Sequence, residues 1–595
     1  MGDISNRLAE IRVELDRESL GAYIFTSTDP HNGEYVPDHW KCREYVSGFD
    51  GSAGTVVVAG LDAALWTDSR YFLAAERQLR FSGIQLMKER IAGTPTIPEW
   101  LSQRLMVSGK TEVGIDGWTN SYAFVQELKQ EMRSRGGITV RTNYNPLDYV
   151  WNDRPARPSS KVVLHDVAYA GENIYRKLKR LRTFLAEHSL QAILISSLDD
   201  IAWLLNLRAA DVHCNPVFVS YLVVAHHDAA LYIDASRLSE QAATYLNRNN
   251  ITVLPYEDVS HAFEHLDNFD KVLMDPNETP YTLYAKTPCR KADIPSPLPM
   301  MKAVKNEVEI KGFDNAMMRD GVAMVQFLRW LRPAVEAGGQ TEISVSDKLR
   351  ELRANQDLFV DLSFDTIAGY QEHGAIVHYE ATPATDMPLR PEGLLLLDSG
   401  AHYLDGTTDI TRTIALGPVT DEQRLVYTLV LKGNIQLAML KFPKGASGTQ
   451  LDALARKDMW SYGYNYLHGT GHGVGSYLNV HEGPHQIRME YRPAPLLEGM
   501  TVTDEPGIYV SGRFGVRIEN TMIIEKYMTT DFGEFLQMRP LTLCPIDLAP
   551  VNIDMLTAEE KAWLNNYHAD VYAKLSPLLD DDHRQWLAEA TKSIS

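Results

Sequence analysis

The chain has 595 residues, of which 44% are hydrophobic and 23% charged, and these are ordinary values for a soluble globular protein. This length exceeds what one hydrophobic core supports, so about three domains are expected. With 58 Lys and Arg against 78 Asp and Glu, the formal net charge is −20, which argues against non-specific binding to nucleic acid or to an anionic membrane.

The N-terminal stretch is predicted to be an amphipathic helix. Within residues 1–20, apolar side chains recur at helical spacing, and the apolar core of a signal peptide is missing. The myristoylation motif that Gly2 would begin fails, because Asn6 stands where Ser or Thr is needed. Four widely spaced cysteines without a C-x-x-C pair fit a reducing compartment. We therefore expect a cytoplasmic protein, with no stretch long enough to span a membrane.

Two successive α/β domains are predicted, over residues 1–157 and 161–300. In the first, helical segments alternate with strand-like runs at Ala22–Phe25, Thr55–Val58 and Ala63–Trp66. The second repeats this alternation, with a helix at Ile174–His188, the strand AILIS, a helix around Ile201, and the strands YLVVA and ALYID. Proline-rich segments at 145–160 and in KADIPSPLPMM are predicted to be linkers. The similar order of elements suggests a duplicated domain.

A third domain is predicted over residues 303–550, followed by a C-terminal helical extension over residues 551–595. Thr420 and Gln423 match a capping box, which predicts the start of a helix that runs to about Leu440. Apolar residues at helical spacing predict further helices at Asn306–Leu331, Ser346–Gln356, Thr449–Trp460 and Ala558–Tyr572.

Five residues between Leu394 and Asn520 have the types and the order of ligands in a two-metal hydrolase. They are Asp398 and Asp409 in LLLLDSGAHYLDGTTDITRT, His472 in HGTGHGVG, Glu505 in TDEPG and Glu519 in VRIEN. Four carboxylates and one imidazole suit hard or borderline divalent cations such as Mn²⁺, Co²⁺ or Zn²⁺. Two such cations can share one water, lower its pKa and stabilise the charge that develops when it attacks a carbonyl. This ligand set exceeds the need of a single ion, so two ions are expected.

Local patterning predicts that the four carboxylates lie on strands, which would be a rigid mount for a metal site. The apolar run before Asp398 is typical of a buried strand, and the Asp-Gly pair that follows predicts a hairpin turn. By period-two alternation, Asp409 shares a face with the threonines of the return strand, and Arg517 shares a face with Glu519. Glu505 precedes a proline, which favours an extended backbone.

Each of these residues has a plainer interpretation when it is taken alone. An Asp before Ser-Gly is usually a turn residue, and an Asp-Gly pair usually marks a hairpin. A single His between glycines is more often a loop residue than a ligand. The metal-site hypothesis therefore depends on the whole set of five.

The set resembles that of the metallopeptidase family with the pita-bread fold, which includes methionine aminopeptidase, prolidase, creatinase and aminopeptidase P. In that family the ligand order is Asp, Asp, His, Glu, Glu, as it is here. The phrases DGTTDITRT, YLHGTGHGVGSYLNVHEGP, VTDEPGIY and FGVRIEN are most similar to the long, three-domain, cytosolic form of aminopeptidase P. Upstream, EYVSGFDGSAGT, LWTDSRYFLAAERQL and DDIAWLLNLRAADVHCNPVFVSY are similar to the same form. The likeness spans nearly the whole chain.

The resemblance implies a multidomain α/β and α+β protein, with two creatinase-like N-terminal domains followed by a pita-bread catalytic domain. It implies an aminopeptidase that removes the N-terminal residue from peptides with proline in second position. Two divalent cations are then expected, with Mn²⁺ as the family metal and Co²⁺ or Zn²⁺ compatible with the same ligands. A homodimer is also expected. Proline specificity comes from the resemblance, because no spacing in the sequence predicts it.

The resemblance also implies roles for individual residues. Asp398 is expected to bind one cation, His472 and Glu505 the other, and Asp409 and Glu519 to bridge the two. Glu505 is the candidate proton shuttle for a shared hydroxide that attacks the carbonyl before proline.

Further roles follow from matched motif positions. His378 and His481 match histidines that contact the substrate and stabilise the tetrahedral intermediate. Arg517 and His468 are expected just outside the ligands, with Arg517 orienting a ligand carboxylate. Arg70, in WTDSRYF, matches a position of the N-terminal domain that reaches the substrate.

Three other interpretations stay open at this point. A prolidase would cleave only dipeptides, and a creatinase would hydrolyse a small guanidino compound without metal. A non-enzymatic pita-bread binding module would typically have lost several ligands. The presence of all five ligand-type residues disfavours the creatinase and the binding module, while the length and the upstream motifs disfavour the prolidase.

Overall fold

The structure, a computed structural model, describes residues 2–266 and 270–595. The chain forms two compact units. Unit 1 comprises Met1–Leu164 and Asn173–Leu298, and unit 2 comprises His165–Glu172 and Pro299–Ser595. Among the described residues, no helix combines the length and the apolar character that a membrane span requires.

The first part of unit 1 is a six-stranded sheet covered by helices on both faces. Tyr23 and Phe25 pack with the first two helices, whereas the alternate residues Ala22 and Ile24 pack with the fourth and fifth. Burial on both faces explains why the strand AYIF is apolar throughout. The elements are α1 Gly2–Arg17, β1 Ala22–Phe25, α2 Cys42–Ser47, β2 Thr55–Ala59, β3 Asp62–Thr67, α3 Phe72–Gln78, β4 Gln85–Lys88, α4 Ile97–Ser108, β5 Glu112–Ile115, α5 Tyr122–Ser134, β6 Thr139–Arg141 and α6 Leu147–Val150.

The next part of the chain repeats this topology. Its elements are β7 Val163–Leu164, α7 Val167–Ala170, α8 Ile174–Glu187, β8 Ala192–Ile195, α9 Leu198–Leu205, β9 Leu207–Arg208, β10 Tyr221–Ala225, β11 Ala229–Tyr232, α10 Glu240–Arg248, β12 Ile251–Leu254, β13 Lys271–Met274, α11 Tyr281–Lys286 and β14 Arg290–Lys291. The first sheet has the order β4-β3-β2-β1-β5-β6, and the second has β12-β11-β10-β8-β13-β14. Corresponding pairs are parallel or antiparallel alike. The predicted repetition of one α/β fold is therefore confirmed.

Unit 2 holds the residues of the predicted metal site. Its remaining elements are α12 Leu298–Ala303, α13 Glu307–Ala337, α14 Glu342–Ala354, β15 Phe359–Leu362, β16 Ile367–Tyr370, β17 Leu394–Ser399, β18 Ala401–Tyr403, β19 Gly406–Thr407, β20 Ile410–Ala415, α15 Asp421–Ala438, β21 Lys441–Pro443, α16 Gly448–Ser461, β22 Gly471–Gly473, β23 Glu482–Ile487, β24 Thr501–Asp504, β25 Gly507–Val510, β26 Phe514–Arg517, β27 Asn520–Thr530, β28 Gly533–Pro540, α17 Ala558–Leu575 and α18 Asp581–Ala590.

Two similar rounds of helices on strands build unit 2. In the first, α13 and α14 pack on the sheet β16-β17-β20. In the second, α15 and α16 pack on the sheet β21-β28-β27-β24. Because Leu395 and Leu397 of β17 face the helices of the first round, alternation turns Asp398 to the opposite face. Ile410 of β20 also faces these helices. Its neighbours in sequence, Asp409 and Thr411, therefore point to the opposite face, as Asp398 does.

The placement of the carboxylates corrects one prediction. Asp398 lies within β17, but Asp409 directly precedes β20, Glu505 directly follows β24, and Glu519 lies between β26 and β27. The reason lies in their backbone hydrogen bonds. The N–H of Glu505 donates to the carbonyl of Thr470, and that of Glu519 donates to Thr411, so neither joins the strand ladder beside it.

Several helix boundaries also differ from the prediction. α13 continues past Leu331 and through Pro333, because its apolar stripe extends to buried Val335. α14 begins at Glu342, since its cap pairs Thr341 with Ser344 instead of with Glu or Gln. α18 was not predicted, and only one of its residues, Leu587, is buried. The capping box that opens α15 is confirmed.

Candidate metal centre

Asp398 lies at the end of β17, where it pairs with Thr411 of β20. Arg517 donates to its Oδ2 from Nη2 at 2.7 Å and from Nε at 3.2 Å. The other oxygen, Oδ1, is buried and accepts no hydrogen bond within the described part of the chain. One side of this carboxylate is therefore fixed by an arginine, and the other is available to a ligand.

Asp409 and Glu519 are brought together across the two rounds of unit 2. Glu519 accepts a hydrogen bond from Thr411 Oγ1 at its Oε2, at 2.9 Å. Its Oε1 is buried without a hydrogen-bond partner among the described residues. One donor atom from each of Asp409, His472 and Glu519 lies within 4.8 Å of the others, which is close enough for one ion to contact all three.

His472 and Glu505 are held side by side by the Thr503 hydroxyl group. The N–H of His472 donates to Thr503 Oγ1 at 3.0 Å, and Thr503 Oγ1 donates to Glu505 Oε1 at 3.4 Å. The imidazole Nδ1 contacts the carbonyl of Gly473 at 2.9 Å. Nε2 lies 3.5 Å from Asp409 Oδ2 and 3.4 Å from Glu505 Oε1. A proton on Nδ1 leaves Nε2 as the atom that can bind a cation.

Negative charge is concentrated here to a degree that the protein alone does not balance. Burial and the neighbouring carboxylates raise the pKa of Asp409 and of Glu505 well above the usual range. The same causes, burial and then Asp398, raise the pKa of Glu519 to about 8. Buried, unpaired acceptor oxygens next to one another are what a divalent cation satisfies. Four carboxylates and an imidazole therefore fit two divalent cations in charge and in chemistry.

A chain of hydrogen bonds leads from Asp398 to His468. Arg517, which holds Asp398, donates from Nη1 to the Tyr509 hydroxyl at 2.7 Å. That hydroxyl lies 2.8 Å from His468 Nε2. Arg517 and His468 were predicted to lie near the ligands, whereas Tyr509 between them was not predicted. The hairpin register of β25 on β26, with Gly507 opposite Arg517, is the signal that could have found it.

Two further histidines were predicted to contact the substrate. The ring centroids of His481 and His472 lie 4.4 Å apart, with an angle of 73° between the ring planes, so His481 borders the predicted ligands. His378 directly follows Val377, whose carbonyl accepts a hydrogen bond from Arg517 Nη2 at 3.2 Å. Both histidines are partly exposed.

Arg70 lies in unit 1, away in sequence from the residues above. Its guanidinium donates to Asp68 at 2.8 Å and to Glu34 at 3.3 Å, and the Arg70 side chain is partly exposed. It is thus an arginine already paired with carboxylates within its own unit. Its predicted contact with substrate stays a prediction.

Four family models match consecutive parts of the chain. The model described as "Metallopeptidase family M24" matches residues 311–526. Two creatinase/prolidase N-terminal domain models match residues 7–141 and 153–309, and the C-terminal region of peptidase M24 matches residues 534–594. The two N-terminal matches coincide with the repeated sheets of unit 1.

Relatives are similar along the whole chain. Xaa-Pro aminopeptidase 1 of Dictyostelium discoideum is 39% identical over 99% of this chain and 97% of its own length. Aminopeptidase P2 of Arabidopsis thaliana is 38% identical over 100% of this chain and 89% of its own length. All parts of the chain, including both N-terminal sheets, therefore have counterparts in these proteins.

Solved structures give the same result. A cytosolic X-prolyl aminopeptidase from Caenorhabditis elegans, described as having a di-nuclear active site, superimposes with a TM-score of 0.92. It is 35% identical, over 99% of this chain and 100% of its own. An Xaa-Pro dipeptidase from Bacillus anthracis is 24% identical, covers 63% of this chain and gives a TM-score of 0.50, a likeness that concerns the fold alone.

Proposed function

The chain belongs to metallopeptidase family M24, and we propose on that premise that it is an Xaa-Pro aminopeptidase with a two-metal centre. It hydrolyses the bond between the N-terminal residue and a proline in second position. One observation carries this proposal. A complete set of ligand-type residues is gathered in unit 2 of a chain that is similar over its full length to proteins with this activity.

The alternatives fit this chain less well. The dipeptidase from Bacillus anthracis covers 63% of the chain, whereas the aminopeptidase from Caenorhabditis elegans covers 99%. A creatinase needs no metal ligands, and a binding module need not keep them. Here Asp409, His472 and Glu519 converge within 4.8 Å, and Arg517 holds Asp398 beside them. Such an arrangement supports an enzyme over an inert scaffold.

We assign the ligands as the family resemblance implies. Asp398 would hold one cation, His472 and Glu505 would hold the other, and Asp409 and Glu519 would contact both. Cations held there would supply a water molecule of lowered pKa and a counter-charge for the carbonyl oxygen of the substrate. The orphaned oxygens of Asp398 and Glu519 support this assignment. We expect Mn²⁺ as the metal, with Co²⁺ and Zn²⁺ accepted by the same donors.

The remaining residues act on the proton and on the substrate. The Glu505 side chain is 17% exposed, against 9% for that of Asp398 and 5% for that of Asp409. It can therefore take the proton from water and pass it to the proline nitrogen. His378 and His481 donate to the carbonyl oxygen as it gains charge. Arg517 and His468 keep the ligands oriented, and Arg70 contacts the substrate.

The wider assignments are also proposals. The domains span 1–157, 161–300, 303–550 and 551–595, which the four family-model matches support. A homodimer in the cytoplasm is expected. The location is supported by the cytosolic description of the Caenorhabditis elegans enzyme and by buried free thiols at Cys42 and Cys544. The net charge of −20 favours peptides over nucleic acid or an anionic membrane as partners.

Three peptides test the function. Metal-stripped protein is supplied with Mn²⁺ and offered Arg-Pro-Pro, Arg-Pro and Arg-Ala-Ala, and released arginine is measured. Cleavage of Arg-Pro-Pro alone is expected. Cleavage of Arg-Pro alone would mean a prolidase, and cleavage of Arg-Ala-Ala would contradict proline specificity while keeping the metal centre. No cleavage by folded protein with any of the three cations would contradict the enzyme assignment.

A further inference from the structure

Glu342 is a buried carboxylate outside the metal centre. It is the first residue of α14, and its side chain is 0% exposed. Its Oε1 accepts from the backbone N–H of Tyr370 at 2.8 Å and from His373 Nδ1 at 2.9 Å. Its Oε2 accepts from the Tyr379 hydroxyl at 2.9 Å and from the backbone N–H of Met387 at 3.1 Å. Both oxygens are thus fully used by the protein itself.

All four donors belong to one segment, residues 370–387, and they lie on both sides of His378. His373 precedes His378, and Tyr379 directly follows it. The rings of His373 and Tyr379 also pack against each other, with centroids 4.3 Å apart. One carboxylate therefore closes a loop whose middle carries the histidine assigned to the substrate.

The position of Glu342 explains how a buried carboxylate is accommodated. It lies in the first turn of a helix, where the helix dipole and the free N–H groups favour negative charge. Thr341 caps that turn, and the backbone N–H of Glu342 donates to the carbonyl of Met387 at 3.1 Å. Hydrogen bonds to an ionised carboxylate are stronger than neutral ones, so the segment is held in a single geometry.

The same segment is tied to the metal centre from its other side. Arg517 donates from Nη2 both to the carbonyl of Val377 and to Asp398 Oδ2. Gly374 lies so close to Gly515 of β26 that a Cβ at position 515 would come within 1.8 Å of its carbonyl oxygen. Contacts with α14 on one side and with β26 on the other thus hold the backbone next to His378 in place.

We infer that Glu342, together with His373 and Tyr379, is a positioning group for His378 in the peptidase reaction. The inference depends on the proposed function, since only that function assigns His378 to the substrate. Glu342 makes no contact with the reacting atoms. It sets where the His378 imidazole stands when the carbonyl oxygen gains charge. His373 acts here as one of the donors that Glu342 holds.

The test compares two buried glutamates of unit 2. Glu342→Gln keeps the volume of the side chain but replaces one acceptor oxygen by an NH₂ group. Glu560→Gln makes the same change in α17, where Glu560 is 2% exposed and accepts from Lys432 at 2.7 Å and from Gln436 at 2.8 Å. Among the described residues, the hydrogen-bond partners of Glu560 include none from the metal centre, so it is a matched control.

We expect Glu342→Gln to lower kcat for Arg-Pro-Pro by about a hundredfold, because a misplaced group loses its contribution in the transition state. KM should stay within about threefold, and two Mn²⁺ ions should still bind per chain. Glu560→Gln should leave kcat unchanged. Equal kcat values for the two variants, or loss of Mn²⁺ from Glu342→Gln, would overturn the positioning role.

A double variant separates positioning from general destabilisation. If Glu342 acts through His378, adding Glu342→Gln to His378→Ala should cause no further loss of kcat. A full second loss would overturn the inference. Should Glu342→Gln fail to fold, Tyr379→Phe removes a single donor and is expected to lower kcat about tenfold, again without effect in the His378→Ala background. Inactivity of the unmodified, Mn²⁺-loaded chain would instead contradict the proposed function.

Discussion

At the scale of single residues, the geometry of the metal centre depends on how Arg517 holds Asp398. Two of its nitrogens donate to Oδ2, which leaves Oδ1 for a cation. A lysine would keep the charge but lose the fork and the contact with Tyr509. We expect Arg517→Lys to lower Mn²⁺ affinity and kcat by about ten- to a hundredfold each. Calorimetric titration of metal-stripped protein measures the first quantity, and cleavage of Arg-Pro-Pro the second.

Arg539 provides the control for this substitution. It also pairs with carboxylates in unit 2, at 2.6 Å from Glu525 and 2.9 Å from Asp314, but these are not ligand-type residues of the centre. Arg539→Lys should therefore leave Mn²⁺ affinity unchanged. Equal affinities for both lysine variants would show that Arg517 does not orient Asp398.

Replacement of Asp409 should stabilise the metal-stripped protein and abolish its activity. Burial, and then repulsion from Glu519 and Asp398, raises the pKa of the Asp409 carboxyl group. Asparagine has nearly the same shape without the charge, so Asp409→Asn should raise the Tm of the metal-stripped protein by a few degrees in alkaline buffer. The same variant should lose Mn²⁺-dependent cleavage. Differential scanning calorimetry with and without Mn²⁺ measures both changes, and a lower Tm of the stripped variant would contradict the repulsion.

The ligand-type residues could be predicted as a set, together with Arg517 and His468, whereas the support from Glu342 could not. Asp398, Asp409, His472, Glu505 and Glu519 stand in short phrases whose residue types express metal chemistry. Glu342 carries no such local signature, because its role arises from contacts between distant parts of the chain. Glu342 meets Tyr379 across 37 positions, for example. Only the folded geometry reveals such a contact.

At the scale of elements, the close approach of β26 to the turn at residues 371–375 couples Arg517 to His378. Gly515 permits this approach, since a Cβ there would lie 1.8 Å from the carbonyl oxygen of Gly374. Backbone atoms cannot give way as a flexible side chain does. We expect Gly515→Ala to push the turn outward and to lower kcat at least about tenfold, with two Mn²⁺ ions retained. Steady-state kinetics and metal analysis test this, and unchanged kcat would mean that the turn adapts without moving His378.

The elements that sequence patterns predicted well are those specified by neighbouring residues. The helix α15 starts where Thr420 and Gln423 cap it, because both partners lie within one turn. The strand ends near the metal centre were misjudged for the opposite reason. The backbone N–H of Glu519 donates to the carbonyl of Thr411, which lies in a different sheet. This contact decides that Glu519 does not continue the neighbouring strand. Periodicity in one segment contains no information on that partner.

At the scale of the whole molecule, the order of the domains was easier to predict than which residues belong to each of the two compact units. The repeated α/β alternation showed in the sequence, and the two sheets share one topology. In contrast, His165–Glu172 belongs to unit 2 although the chain on both sides of it belongs to unit 1. Asn306 donates to the carbonyl of Ala170 at 2.9 Å, across 136 positions, and such a contact leaves no local pattern.

The metal centre should also govern how stability depends on pH. In the metal-stripped chain, the pKa of Glu519 is raised to about 8, above the value of about 4.3 for an unfolded chain. A raised pKa of a carboxyl group stabilises the folded state at low pH, and this contribution disappears as pH rises from about 4.3 to about 8.

Metal binding has the opposite dependence, because the carboxylates and His472 must be deprotonated to act as ligands. We therefore expect the rise in Tm on adding Mn²⁺ to be small near pH 5.5 and to grow steadily towards about pH 8. Thermal unfolding across this range, with and without Mn²⁺, measures the difference. His472→Ala should reduce the Mn²⁺-induced rise in Tm at every pH, since it removes one ligand while the carboxylates remain. A Mn²⁺-induced shift that shrinks with rising pH would show that these carboxylates do not form the binding site.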